Sequence, residues 1–227
     1  MNPGSSRTSA RKGRVFIVDD HPLVREGLAN LINDQHDLIV CGDAEDSSQA
    51  IIGIVKAQPD VALIDISLEG ESGLELVKNL KSRFPFVGLI VLSMHDETLY
   101  AERALRAGAR GYVMKREASK IVLASIRRVL EGGVYLSERI MTRLVQGPGV
   151  SRQAPVTSPV ERLSDRELEV FRLLGQGRTP AQIAADLKLG LKTVQTHYTR
   201  AKEKLGVSSL TELLCAAVRW EDSSHVK

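Results

Sequence analysis

Two hydrophobic patterns alternate along the first 131 residues of the chain. Short runs of branched and aromatic residues are typical of buried strands, and apolar residues at helical spacing follow each run. The predicted strands are Arg14–Val18, Leu38–Cys41, Val61–Ile64, Leu89–Leu92 and Gly111–Val113, and the predicted helices are Pro22–Asp34, Asp46–Ala57, Ser72–Arg83, Asp96–Ala107 and Glu117–Glu131. Five such units predict an α/β fold in which a parallel five-stranded sheet is covered by helices on both faces.

The pattern becomes purely helical in the last part of the chain. Capping-box signals stand at Ser164–Glu167, Thr179–Gln182 and Ser209–Glu212, each at the start of a predicted helix. Two short helices on either side of Gly190 match a helix-turn-helix. The stretch Gly147–Pro159 before them is rich in Pro, Gly and Ser, which is typical of a linker.

These patterns divide the chain into four segments. We predict a disordered tail at 1–13, an α/β domain at 14–131, a linker at 132–160 and an all-α, four-helix domain at 161–227. The net charge is −4 in the α/β domain and +2 in the helical domain. Different partners are therefore expected for the two domains, although the basic excess by itself is too small to establish nucleic-acid binding.

Composition excludes several classes of protein. The 227 residues are 43% hydrophobic and 26% charged, as in ordinary globular domains. The longest apolar run, Phe86–Leu92, is too short to span a membrane, and the polar N-terminus lacks the apolar core of a signal peptide. Cys41 and Cys215 match neither a metal site nor a disulfide framework. We expect a cytoplasmic protein with no membrane partner.

Polar side chains collect where the predicted strands end. Asp19 and Asp20 follow the first strand, Asp65 the third, Ser93 the fourth and Lys115 the fifth. Parallel strands end on one edge of the sheet, which is where ligands bind in such folds. Adjacent carboxylates repel each other unless a cation lies among them, and an all-oxygen ligand set favours Mg²⁺. A carboxylate beside Mg²⁺ can attack a phosphoryl group.

The first domain resembles the receiver domain of two-component response regulators. The resemblance rests on Val18–Pro22, Leu63–Asp65, Val91–Ser93 and Gly111–Lys115, which lie in the order and at the strand ends of that family. It implies a (βα)5 flavodoxin-like fold with Mg²⁺ as cofactor. The roles that it implies are phospho-acceptor for Asp65, Mg²⁺ ligands for Asp19, Asp20, Asp65 and the carbonyl of Ser67, phosphoryl pairing for Lys115, and switch residues for Ser93 and Tyr112.

The predicted helix Leu191–Leu205 has two contrasting faces. Its apolar stripe consists of Val194, Tyr198, Ala201 and Leu205, and the opposite stripe consists of Lys192, Gln195, Thr196, Thr199 and Lys202. The second stripe contains cations, amides and hydroxyls but no acid, which suits phosphates and base edges in a major groove. The same stripe is also compatible with the solvated face of a small helical bundle.

A second resemblance favours the DNA-binding interpretation. Leu163–Val170, Thr193–Val194 and Lys204–Val207 resemble a LuxR-type DNA-binding domain, and with the receiver the chain is similar to a NarL/FixJ-type response regulator. Gln195 stands where many members have Lys. The residues expected to contact DNA are Lys192, Thr193, Gln195, Thr196, His197, Thr199, Arg200 and Lys202.

The last predicted helix, Ser209–Trp220, carries an apolar stripe that is wide for a small domain. The family resemblance implies that part of the stripe forms a dimer contact, for which we name Leu210, Leu213, Leu214 and Ala217. The alternative is that the whole stripe packs on its own domain.

The resulting hypothesis is a transcription regulator and not an enzyme. A sensor histidine kinase would phosphorylate Asp65, and phosphorylation would control homodimerisation and binding to double-stranded promoter DNA. One rival is an aspartate-nucleophile phosphatase, which is disfavoured because Ser67 stands where a second acid would be needed. Another rival is a DNA-binding adaptor that acts without phosphorylation.

Overall fold

The structure is a computed structural model of the full chain, and it describes residues 11–68, 72–94, 97–117, 119–146, 159–187 and 189–225. The predicted tail lies outside these ranges up to residue 10, and so does the predicted linker between residues 147 and 158. Within the described chain, no helix has the length and apolar character needed to cross a bilayer.

The first domain is the predicted parallel sheet flanked by helices. Its strands, ordered β2-β1-β3-β4-β5 across the sheet, are β1 (Gly13–Val18), β2 (Leu38–Ala44), β3 (Val61–Asp65), β4 (Gly88–Ser93) and β5 (Gly111–Met114). Its helices are α1 (Pro22–Asn33), α2 (Ser47–Ala57), α3 (Gly73–Arg83), α4 (Glu97–Ala107) and α5 (Ser119–Leu130). Apolar residues of α1 and α5 cover one face of the sheet, and those of α2, α3 and α4 cover the other. The predicted fold class is confirmed.

The strand register explains why polar residues meet at one edge. Val18 pairs with Ile64, Asp65 with Leu92, and Ser93 with Met114. All four pairs of neighbouring strands are parallel, so β1, β3, β4 and β5 end side by side. The residues that follow these strands are thereby held at the same rim, as the strand pattern predicts.

The second domain consists of four helices, α7 (Asp165–Gly175), α8 (Pro180–Asp186), α9 (Leu191–Leu205) and α10 (Leu210–His225). The capping boxes predicted at Ser164 and Thr179 are both formed, and they fix the starts of α7 and α8. Gly206 ends α9 with a positive φ of 71°, a conformation that glycine adopts without strain.

One short helix lies within the predicted 132–160 linker, and a short turn begins in it and ends in the second domain. Helix α6 (Glu138–Gln146) is anchored by Ile140, which is 4% exposed, and a 3₁₀ turn at Pro159–Arg162 leads into the second domain. The predicted tail is one residue too long, because Gly13 already belongs to β1 and its N–H bonds to the carbonyl of Asp37.

The two domains pack against each other in the described arrangement. One cluster of buried apolar side chains runs from the α3–α4 side of the sheet, including Tyr100, into the second domain through Leu163 and Phe171. Among the described residues the two domains therefore share this one cluster, whereas the cluster on the α1–α5 face of the sheet is separate and belongs to the first domain alone.

Candidate functional site

Lys115 lies between two buried carboxylates at the rim of the sheet. Its Nζ is 2.6 Å from Asp19 Oδ2 and 2.8 Å from Asp65 Oδ2. Both acids are almost fully buried, and the Lys115 side chain is 13% exposed. The structure thus brings together three residues that the sequence places on three different strand ends.

Charge and burial oppose each other at this rim. Burial raises the pKa of Asp65 above its ordinary value, and the ammonium group of Lys115 only partly offsets it. Burial alone would lower the pKa of Lys115, but the nearby carboxylates of Asp65 and Asp19 outweigh it and raise that pKa. The raised pKa values of Asp65 and Lys115 both mean that the pocket favours positive charge. A cation bound there would be stabilising for the same reason.

The acidic cluster has the donor set of a hard-cation site. Oxygens of Asp19, Asp20 and Asp65 and a ring nitrogen of His21 all lie within 4.8 Å of one another. Asp19 Oδ2, Asp20 Oδ1 and Asp65 Oδ2 are buried, and although cationic groups approach them, none receives a well-aligned hydrogen bond. Buried carboxylate oxygens that lack a well-aligned hydrogen bond are suited to bind Mg²⁺, which takes oxygen ligands and neutralises their charge.

His21 is a member of this cluster that the sequence analysis did not assign. Its Nδ1 lies 2.6 Å from Asp20 Oδ1 and 3.4 Å from Asp19 Oδ1, and its backbone N–H donates to Asp19 Oδ1 at 2.9 Å. The His21 side chain is 67% exposed. The only sequence signal was its position directly after the two aspartates.

The turn after β3 is shaped around Asp65. The N–H of Ser67 donates to Asp65 Oδ1 at 3.1 Å, which folds the turn back over the carboxylate. Helix α3 approaches so closely that a Cβ at Gly73 would lie 2.1 Å from the carbonyl oxygen of Asp65. Only glycine fits at this point, so Gly73 is a second site residue that the sequence analysis missed.

The two predicted switch residues lie on neighbouring strands behind the acidic cluster. Ser93 ends β4 and is fully buried, and Tyr112 on β5 is 2% exposed. The N–H of Lys115 donates to the carbonyl of Ser93 at 2.7 Å, which connects the end of β5 to the end of β4. Movement of either strand end would therefore shift Lys115 and change its distance from the carboxylates of the acidic cluster.

Helix α9 presents its polar face to solvent. Val194, Tyr198 and Ala201 are buried as predicted, whereas Leu205 is only partly buried. The exposed residues of the predicted DNA-contact set are Lys192, Thr193, Gln195, Thr196, Thr199 and Arg200, and Lys202 and His197 are partly exposed. None of the described residues of the first domain covers this face, as the exposure of Lys192, Gln195 and Thr199 shows.

His197 differs from the rest of that set. Its Nδ1 is buried without a hydrogen-bond partner, and burial, with the nearby charge of Arg166, lowers its pKa below the ordinary 6.5. His197 is therefore neutral at pH 7 and adds no charge to the face.

Helix α10 requires a correction to the predicted dimer contact. Leu213 and Ala217 have no exposed surface, because they pack in the core of their own domain. Leu210 is 47% exposed and Leu214 37% exposed, and Val218 continues the same stripe. Leu213 and Ala217 are thus core residues, and the exposed part of the stripe is Leu210, Leu214 and Val218.

A cleft of about 460 Å³ opens above the acidic cluster, between the two domains. The first domain lines it with Asp20, His21, Ile66, Ser67, Leu68 and Tyr100, and the second domain lines it with Glu169, Arg172, Leu173, Arg178, Asp186 and Leu187. The hydroxyl of Ser72, directly before α3, acts on the carboxyl of Glu169 on α7, where it opposes the rise in pKa that burial causes. Hydrophobic periodicity contains no signal for this contact, since it joins residues far apart in the chain.

Comparison with protein families divides the chain where the fold does. Residues 15–127 match the family described as "Response regulator receiver domain", and residues 161–217 match "Bacterial regulatory proteins, luxR family".

Similar proteins span both domains. The oxygen regulatory protein NreC of Staphylococcus aureus (strain JH9) is 36% identical over 210 residues, which are 91% of this chain and 97% of that protein. The RcsB response regulator of Salmonella typhimurium is 28% identical with a TM-score of 0.66, over 92% of this chain and 98% of that one. RcsB from Salmonella enterica serovar Typhimurium bound to promoter P1flhDC in the presence of phosphomimetic BeF3− is 28% identical with a TM-score of 0.63, over 91% and 100%.

Proposed function

Because this chain belongs to the response regulators that join a receiver domain to a LuxR-family DNA-binding domain, we propose that Asp65 is the phosphoryl acceptor through which it is controlled. Family membership makes the chain a phosphorylation-controlled, DNA-binding transcription regulator. In this proposal 13–131 receives the signal, 161–227 binds DNA, 132–160 connects them and 1–12 is a tail.

The position of Lys115 between Asp19 and Asp65 is the observation that supports this assignment most directly. A carboxylate oxygen of Asp65 attacks the phosphorus of the donor, and the bond from phosphorus to the donor's histidine nitrogen breaks. The imidazole nitrogen leaves with the electron pair and takes up a proton. Lys115 is already in place to pair with the phosphoryl oxygens, and its raised pKa keeps it charged.

Mg²⁺ is the cofactor that we propose for the transfer. Asp19, Asp20, Asp65 and the carbonyl of Ser67 would hold it, and it would neutralise charge on the carboxylates and on the phosphoryl oxygens. A chain of this kind turns over no substrate of its own, because the phosphoryl group ends on Asp65. The donor is a sensor histidine kinase, in the cytoplasm.

The DNA-binding half of the proposal rests on the exposed face of α9. Lys192 and Arg200 supply cations for the phosphates, and Gln195 supplies an amide for a base edge. RcsB, a structural neighbour of this chain, is bound to promoter DNA in the presence of a phosphomimetic. We propose that the present chain likewise binds double-stranded promoter DNA. It would bind as a homodimer, which phosphorylation favours.

The test compares DNA affinity with and without phosphorylation. Full-length protein is incubated with acetyl phosphate and Mg²⁺, and its affinity for promoter DNA is measured beside that of Asp65→Asn. We expect a gain in affinity in the wild type alone, with the label on Asp65. An equal gain in Asp65→Asn would favour the phosphorylation-independent adaptor, and continuous release of phosphate with excess donor would favour the phosphatase.

A further inference from the structure

Arg103 joins the two domains by four hydrogen bonds. Its Nη1 donates to the carbonyl of Leu163 at 2.8 Å and to Asp165 Oδ1 at 3.0 Å, and its Nη2 donates to the carbonyls of Val160 and Glu161 at 3.4 and 3.2 Å. The Arg103 side chain, on α4 of the receiver, is 12% exposed. All four acceptors belong to the turn and helix start that begin the DNA-binding domain.

Asp165 receives a second cation from the receiver. Lys78 Nζ on α3 lies 2.9 Å from Asp165 Oδ2, so that the two oxygens of this carboxylate are shared between two receiver helices. Asp165 is 13% exposed. We call Arg103, Lys78 and Asp165 the interdomain latch. The Arg103–Asp165 pair is screened much less than a surface ion pair, whereas Lys78, 47% exposed, adds a weaker contact.

The latch holds the DNA-binding domain over the acceptor site. Arg172, Leu173 and Leu187 form the far wall of the cleft whose near wall contains Asp20 and Ser67. A cleft of about 460 Å³ is of the size that holds a small molecule, and no folded domain can enter it without displacing α7 and α8. Asp65 is 1% exposed and does not itself line the cleft, which reaches it at Ser67, whose N–H donates to Asp65 Oδ1.

The packing of the DNA-binding domain on the receiver leaves the DNA-contact face of α9 uncovered among the described residues. Gln195 and Thr199 stay exposed while α7 and α8 face the receiver. Docking therefore acts on the phosphorylation site rather than on the groove-binding helix.

We propose that the latch makes acceptance of a phosphoryl group depend on the size of the donor. With the latch closed, a small phosphodonor reaches Asp65 through the cleft, whereas a phosphohistidine on a folded protein reaches it only when the DNA-binding domain has moved away. Transfer from a protein donor then proceeds at a rate scaled by the fraction of undocked molecules. This inference rests on the proposed role of Asp65 as the acceptor.

The test uses two donors on the full-length protein at saturating Mg²⁺. One donor is acetyl phosphate, and the other is a histidine-phosphotransfer domain phosphorylated in advance. We expect Arg103→Ala to raise the rate from the protein donor at least about tenfold, because four bonds to a charged group are lost. The rate from acetyl phosphate is expected to change less than about twofold, since the small donor needs no opening.

Matched variants distinguish the loss of the interdomain latch from the loss of a positive charge on α4. Arg106 lies on the same helix as Arg103, but its side chain is 75% exposed and its described ion pair is with Glu102 on the same helix, so Arg106→Ala should change neither rate. Asp165→Asn removes the charge from the other side of the latch and leaves the capping box of Ser164 and Glu167 intact, so it should reproduce the effect of Arg103→Ala. Arg103→Lys keeps the charge but not the fork of donors, and should give an intermediate rate.

The outcomes are distinguishable. An unchanged protein-donor rate in both Arg103→Ala and Asp165→Asn, with folding confirmed by circular dichroism, overturns the latch. Equal gains with both donors also overturn it, because the variants would then act on the chemistry and not on access. Failure of acetyl phosphate to label the wild type, or labelling that persists in Asp65→Asn, overturns the proposed function instead.

Discussion

Thr199 Oγ1 donates a hydrogen bond of 3.1 Å to the backbone carbonyl of Gln195, one turn earlier in α9. Thr196 Oγ1 makes the same contact to the carbonyl of Lys192, at 2.9 Å. Each hydroxyl has a single proton, and in both threonines it is used inside the helix. Of this stripe, the amide of Gln195 and the cations of Lys192 and Lys202 therefore keep donors for DNA.

The first prediction separates Lys192 and Gln195. Lys192→Ala should weaken binding to all sequences alike and lower the salt slope by about one unit, because one phosphate fewer is neutralised. Gln195→Ala should leave the slope unchanged and cost about 1–3 kcal/mol at one base position, because the amide suits the N6 and N7 of adenine. A salt titration on specific and scrambled DNA measures both effects.

The matched control for this titration is Lys120→Ala. Lys120 is an exposed cation at the start of α5 in the receiver, so its loss should leave the salt slope as it is. If Gln195→Ala weakened both DNAs equally, α9 would bind the backbone through this face but would not read bases with it.

A second prediction concerns Mg²⁺ and stability. Mg²⁺ at about 100 times its Kd should stabilise the folded wild type by about 2.7 kcal/mol, seen as a rise in melting temperature. Asp20→Asn should abolish most of that rise, since Asp20 offers a buried oxygen to the cation. Asp34→Asn, at an exposed acid after the end of α1, should retain it. A full rise in Asp20→Asn would remove Asp20 from the ligand set.

The third prediction concerns Ser93. Ser93→Ala should still accept a phosphoryl group from acetyl phosphate, because Asp65 and Lys115 are untouched. It should lose most of the gain in dimerisation or DNA affinity, since the hydroxyl that would bond the phosphoryl group is missing. Sedimentation with and without donor measures the gain. Ser125→Ala also deletes a buried hydroxyl, on α5, and is expected to keep the full gain.

A fourth prediction follows from an ion pair between α5 and the start of β2. Arg127 Nε lies 2.7 Å from Asp37 Oδ2, and its hydrogen bond lowers the pKa of Asp37 to about 2. Because the pKa is lower in the folded than in the unfolded chain, the pair stabilises the fold above the ordinary pKa of 3.8 and loses this effect as the pH falls towards 2. Both side chains are more than a third exposed, so the contribution is at most about 1 kcal/mol.

Urea unfolding of the wild type and of Arg127→Gln at several pH values tests whether the stabilising effect of the ion pair is lost on acidification. The wild type should have the higher free energy of unfolding at pH 7, and the difference should narrow between pH 5 and pH 3. A difference that widened on acidification would contradict the assignment. Arg128→Gln is a neighbouring control, because the ion pair that Arg128 makes to Glu131 is long, at 4.0 Å, and exposed.

Periodicity and strand ends were sufficient to predict the fold and to bring Asp19, Asp65 and Lys115 together. The prediction works because parallel strands must end on one edge, so that sequence position at a strand end fixes position in space. The same local rules placed the caps of α7 and α8 correctly, since a capping box is contained within four residues.

Contacts between distant segments were beyond that reasoning. A wide apolar stripe on α10 does not reveal which of its residues face inward, and so Leu213 and Ala217 were assigned to the surface. Gly73 matters because of a single close approach to Asp65, and Arg103 because of a turn some 60 residues away in the chain. Local periodicity contains no information on which distant residues Gly73 and Arg103 will approach.

The shared apolar cluster around Tyr100, Leu163 and Phe171 has a consequence for how the chain melts. Two domains with separate cores lose their structure in separate steps, whereas surface buried between domains couples their unfolding, because the loss of one domain destabilises the other. The unphosphorylated chain should therefore give a single calorimetric peak. Its calorimetric enthalpy should equal the van't Hoff value, and a variant that opens the interface should split the peak in two.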